Sequence, residues 1–140
     1  VTRLNLVETI VLPIHHMIGN APQPVAPFSH AVEADGWICV TGQMPTFPDD
    51  PQAPLPEGIA AQTTRVMENL KLVLAGVGLG FEHIVFARVY LTEFKRDYQE
   101  MNQTYLSFFP PDKLPGRTCI GVTGLALDAL VEIDLVAKRP

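Results

Sequence analysis

The sequence is poor in the residues from which metal centres and disulfide frameworks are built, with two cysteines and four histidines among 140 residues. Cys39 and Cys119 lie far apart, each inside an apolar strand-like run and outside any CxxC spacing. Two reduced, buried thiols are therefore expected, rather than a zinc site or a disulfide. His15 and His16 are adjacent, so on a strand they would point to opposite faces, and no nearby Asp, Glu or Cys completes a ligand set. No metal is expected. Cations are also scarce: ten Lys and Arg stand against fifteen Asp and Glu, a formal net charge of −5. That balance, without a local basic patch, argues against a nucleic-acid partner. Nothing approaches the run of about 18 apolar residues that a membrane-spanning helix needs. The first residues also lack the pattern of charged region, apolar stretch and cleavage site. A cytoplasmic protein without a membrane partner is the expectation.

What is present suits a globular protein: 47% of the residues are hydrophobic and 18% charged. The length fits one domain over 1–140, with 1–18 as an additional N-terminal strand and loop. Leu6 to Leu12 is apolar and β-branched enough for a first strand, edged by Pro13, after which His15 and His16 open a loop. Asp35-Gly36 between Ser29–Glu33 and Trp37–Thr41 is the strongest hairpin signal. Apolar residues recur at helical spacing from Ile59 to about Ala75, and glycines at 76, 78 and 80 supply the stop. His83 to Thr92 reads as a strand, and Phe94, Tyr98, Met101 and Tyr105 as the apolar face of a second helix. The order β, ββ, α, β, α, ββ predicts an α+β fold with two helices on one face of a mixed sheet. The other face, left without helices, predicts self-association in a closed ring.

The most informative feature is a polar pair in the apolar C-terminal segment. From Ala129 to Ala137 the odd positions are apolar, while Glu132 and Asp134 fall on the even face. Arg117 to Val122 reads as the hairpin partner of this strand. If the apolar faces of the two coincide, Ile120 and Val122 lie on the core side with Val131, Ile133 and Leu135, and Arg117 and Cys119 share the other face with Glu132 and Asp134. Two readings of that patch stay open: a solvating cross-strand ion pair, or a site in which Arg forks a carboxylate and Glu orients water.

An ordered set of motifs extends this reading. Ala26-Pro27-Phe28-Ser29 precedes the hairpin and Val40-Thr41-Gly42-Gln43 follows it. Gln62 and Asn69 lie on the first helix. Further on come Arg88-Val89-Tyr90-Leu91-Thr92, Met101-Asn102-Gln103-Thr104-Tyr105, Gly116-Arg117-Thr118-Cys119 and Val131-Glu132-Ile133. From Pro24 to Lys138 the chain resembles the RidA/YjgF family of imine deaminases. The resemblance implies a chorismate-mutase-like fold and a homotrimer with sites between subunits. It also implies a cofactor-free hydrolysis of enamines or imines, such as 2-aminoacrylate, to 2-keto acids and ammonia. It assigns Arg117 to the substrate carboxylate and Glu132 to the water, with Phe28, Thr41, Gly42, Asn102 and Cys119 lining the pocket. Phe28 stands where the family pattern has Tyr, and Thr41 where it has Ser. Phe28 packs but donates no hydrogen bond, so a larger substrate such as 2-aminomuconate is one alternative. A trimer that only binds small carboxylates, or acts as a holdase, is another. Cys119 reads as a pocket wall rather than a nucleophile, because no His is placed to activate it. His30, beside the first motif, reads as a surface-loop residue.

Overall fold

Asp35 and Gly36 both take positive φ, 51° and 77°, as the two central residues of a tight hairpin turn require. They join β2 (Ala31–Ala34) to β3 (Trp37–Gln43) in the register Ala34↔Trp37, Val32↔Cys39. Alternation along β3 then turns Ile38 and Val40 inward and leaves Trp37 and Cys39 exposed. Cys39 is thus not a buried thiol: it shares the apolar run but has the opposite parity from the core positions. Cys119 is half-buried, and both thiols are free.

The structure is a computed structural model that describes residues 12–140. The strand expected at Leu6–Leu12 lies outside the described residues, apart from Leu12, which is not in a strand. The first described strand is instead β1 (Ile14–His16), paired antiparallel with β2. His15 and His16 are therefore in the sheet rather than a loop, held there because His16 Nε2 meets Glu33 Oε1 at 3.0 Å. His30 is buried too, not on a surface loop. Ile18 donates its backbone N–H to His30 Nδ1 at 2.8 Å, and His30 Nε2 lies 2.7 Å from the Pro22 carbonyl. Its imidazole ties down the proline-rich segment that leads to Phe28.

The sheet runs β1-β2-β3-β6-β4-β5, with β4 spanning Ile84–Leu91, β5 Gly116–Gly121 and β6 Val131–Lys138. All neighbours are antiparallel except β4 and β5, which are parallel. Helices α1 (Ile59–Gly76) and α2 (Phe94–Leu106) lie on one face. Val66, Leu70, Val73 and Leu74 of α1 and Met101 and Tyr105 of α2 join one cluster with Ile38, Val89, Leu91, Val131, Ile133 and Leu135. Burying each such aliphatic side chain contributes about 1.5–3 kcal/mol. The fold is the α+β arrangement expected: two helices on one face of a mixed sheet. Among the described residues no helix is long and apolar enough to cross a membrane.

The C-terminal hairpin does not form. Strand β4 inserts between β5 and β6, because α2 carries the chain across the sheet and returns it parallel to β4. The segment after β5 passes the end of β4: Val122 donates to the Leu91 carbonyl at 2.9 Å and Thr92 to the Leu130 carbonyl at 3.1 Å. The central strand thereby keeps both edges paired.

Glu33 anchors the chain's C-terminal end. Arg139 donates to its carboxylate at 2.6 and 2.9 Å and to the Val77 carbonyl at 2.8 Å, joining β2 to the end of α1. Hydrogen bonds from Arg139 and then His16 lower the Glu33 pKa from the usual 4.5 to about 2. A depressed folded-state pKa stabilises above the unfolded value and is lost as pH falls through the folded one. Thermal melts of wild type should therefore lose this contribution between about pH 4.5 and 2. Glu33→Gln should melt lower at pH 7 and show a flatter profile across that window.

Candidate functional site

The first half of the site is built at a bulge in β3. The β3–β6 register runs Cys39↔Val136 and Val40↔Leu135, then shifts before Gln43↔Ile133. This extra residue buries Gln43 and brings the backbone of Gly42 against Glu132. A Cβ at position 42 would collide with the Glu132 carboxylate, so a side chain there would push that carboxylate out of its present place. Glu132 is half-buried, and its pKa is raised, first by burial and then by the neighbouring Asp134 carboxylate. Thr41 donates its hydroxyl to the Ser29 carbonyl at 2.7 Å and its backbone N–H to the His30 carbonyl at 3.0 Å. Thr41 thus fixes the segment carrying Phe28, and its hydroxyl oxygen remains an acceptor. Phe28 lines a narrow crevice with Gly42, Gln43 and Met44. The loop beyond is pinned by the buried Asn69, which donates to the Met44 and Thr46 carbonyls at 2.9 and 2.7 Å. Gln62 of the same helix accepts from Leu130 N–H at 2.8 Å and so sets the start of β6.

The second half lies on β5 and α2. Arg117, Asn102, Tyr105, Leu106, Leu114 and Pro115 line a cleft of about 300 Å³. The Arg117 guanidinium stands over the Tyr105 ring, 5.0 Å from its centroid, a cation–π contact that orients it. Among the described residues Arg117 has no hydrogen-bond or ion-pair partner, while Asn102 Oδ1 and Tyr105 Oη are buried without one. Burial raises the Tyr105 and Cys119 pKa values, and the Arg117 charge opposes the rise in each. Cys119 is thus held as a neutral thiol packed against the core, consistent with a wall and unlike an activated nucleophile.

The two halves do not meet within the chain. Parallel pairing sets Arg117 opposite Ala87 and Cys119 opposite Val89, on the helix-covered face. Antiparallel pairing sets Glu132 opposite Tyr90 and Asp134 opposite Arg88, on the open face. The shared patch of Arg117, Cys119, Glu132 and Asp134 is therefore overturned, and with it the Arg117–Glu132 ion pair. Ile120, assumed to face the core, is 46% exposed on the open face. The carboxylate partner of an arginine is instead Asp134, which accepts two hydrogen bonds from Arg88 at 2.8 Å and one from the Tyr90 hydroxyl at 3.1 Å. Around that polar centre the open face exposes Trp37, Phe86 and Ile120. Phe28, Thr41, Gly42 and Glu132 form one group; Asn102, Arg117 and Cys119 form the other. Tyr105 belongs with the second group but reads in the sequence only as a core residue. Its three-residue spacing from Asn102 on one helix was the available signal.

Two helices on one face of a six-stranded sheet, an arginine-lined cleft at the parallel edge strand and a carboxylate seated over a glycine bulge define a class of small α+β protein. The chain belongs to the RidA/YjgF family: the family described as Endoribonuclease L-PSP matches residues 18–139. It is 36% identical over 121 residues to a RutC family protein of Aquifex aeolicus, covering 86% of this chain and 94% of that one. Yeast Mmf1 has a similar structure, with a TM-score of 0.84, 29% identity and coverage of 92% and 100% of the two chains. Escherichia coli TdcF, solved with bound serine, is similar at a TM-score of 0.80 and 26% identity, covering 89% and 99%.

Proposed function

We propose that the protein hydrolyses reactive 2-imino acids to 2-keto acids and ammonia, in sites completed where the Arg117 half of one copy meets the Glu132 half of a neighbour in a ring of three. The observation that carries this reading is the separation itself. A guanidinium without a partner among the described residues and a half-buried carboxylate of raised pKa lie on opposite faces of one sheet, each in an incomplete pocket. The apolar residues exposed on the open face, Trp37, Phe86 and Ile120, support burial against other copies. The serine bound to TdcF, a small amino acid, supports a ligand with a carboxylate.

In the proposed reaction Arg117 grips the substrate carboxylate through two parallel hydrogen bonds. Glu132 accepts a proton from water as its oxygen adds to the C=N carbon, and passes that proton to nitrogen. Glu132 then takes the hydroxyl proton of the resulting carbinolamine and delivers it to the amine nitrogen, and as the C–N bond breaks ammonia leaves with the bonding pair while an oxygen lone pair forms the ketone C=O. Raising the Glu132 pKa strengthens it as a base, as general base catalysis near neutral pH favours. The Thr41 oxygen is suited to accept from the imine N–H. Imines react with water unaided, so binding and orientation supply the acceleration. The word endoribonuclease in the family description names another chemistry; a net charge of −5 suits a polyanionic substrate poorly. The test is the appearance of 2-keto acid from imines generated in situ by an amino acid oxidase. Acceleration in proportion to added protein is expected; none across small, branched and aromatic imines would contradict the reading.

A further inference from the structure

The cleft beside Arg117 is walled chiefly by apolar side chains. Leu106 and Leu114 stand in its wall at 45% and 51% exposure. Leu114 and Pro115 also form one side of a second cleft, about 480 Å³ in volume, whose other side carries Phe81 and Phe108. There Phe81 stacks on Phe109 at 5.4 Å and meets Phe108 at 5.9 Å, so the floor is a packed aromatic cluster rather than a mobile loop. Among the described residues Arg117 is the one cation lining the first cleft. The second is lined by Lys113 and by Glu82 of opposite charge, which leaves it no net positive charge. One carboxylate is matched, a second is not, and beyond the first lies an apolar path.

We propose that the substrates are 2-imino monocarboxylates with a large apolar side chain, branched or aromatic, which runs from Arg117 over Leu114 and Pro115 towards the Phe81–Phe108 cleft. This rests on the Arg117 cleft being the substrate site proposed above. Each buried methylene then strengthens binding about fourfold, so side-chain length becomes the specificity determinant. The hydrolytic step is unchanged.

The test compares imines of pyruvate, 4-methyl-2-oxopentanoate and phenylpyruvate for kcat/KM, and the three 2-keto acids themselves for Kd. The two larger members are expected to exceed the small one at least tenfold in both. Leu114→Ser, at a half-exposed position remote from folding demands, should cut that ratio at least tenfold. A ratio near one, a ratio indifferent to Leu114, or a preference for an imino diacid would overturn the proposal. If no imine is accelerated but the apolar keto acids still bind tenfold tighter through Arg117 and Leu114, apolar selection stands and the deaminase reading fails. If none of the keto acids binds, both fail.

Discussion

Arg117→Lys is expected to lower kcat/KM for imine hydrolysis by about 10²- to 10³-fold, and Arg117→Ala by at least as much. A charged hydrogen bond contributes about 1.5–3 kcal/mol, and the planar fork makes two to a carboxylate where an ammonium makes one point contact. Among the described residues Arg117 has no hydrogen-bond or ion-pair partner to lose, only its place over the Tyr105 ring, a contact worth about 1 kcal/mol at a partly exposed site. The melting temperature of either variant should therefore stay close to that of wild type. A large kinetic loss with little thermal change separates a binding role from a structural one. Affinity for 2-keto acids, read by calorimetry, should fall along with turnover.

Glu132→Gln is expected to leave the site shaped but without its base, lowering kcat by about 10²- to 10⁴-fold, while 2-keto acid binding is largely retained. The pH dependence follows from the raised pKa. Wild-type kcat should rise with pH through an apparent pKa above the ordinary carboxylate range, as Glu132 loses its proton, and Glu132→Gln should lack that limb. Stability runs the other way. A carboxyl whose folded-state pKa is raised favours the folded state when protonated, a contribution that is full below the unfolded value and is lost as pH rises through the folded one. At neutral pH Glu132→Gln should therefore melt no lower than wild type. A variant both inactive and at least as stable is the signature of a group held in place for chemistry.

The elements of the fold were legible in the sequence because they rest on local physics. Asp35-Gly36 supplied the positive φ that its turn requires, and the spacing of Val66, Leu70, Val73 and Leu74 was the buried stripe of α1. The β6 alternation was read with the correct parity: Val131, Ile133 and Leu135 are core, while Glu132 and Asp134 are not. Strand order was not legible. The short segment between Gly121 and Val131 looked like a hairpin, and nothing local announces that β4, some thirty residues earlier, lies between the two strands. Because facing was inferred from pairing, that error turned Arg117 and Cys119 to the wrong side, with Ile120 taken for a core residue. Buried histidine escaped for a similar reason: His30 is satisfied by Pro22 and Ile18, contacts made only once the proline-rich segment has folded back.

The consequence is a site whose residues share motifs but not a face, so the central claim concerns assembly. Arg117→Ala and Glu132→Ala protein, each inactive alone, should be mixed through unfolding and refolding at equal amounts and assayed for imine hydrolysis. If each site takes its arginine from one copy and its glutamate from the next, about one site in four receives both intact halves. Recovery of about a quarter of wild-type turnover is the result expected. Mixed oligomers that form and stay as inactive as either parent would contradict the account, because both residues would then have to act from the same chain.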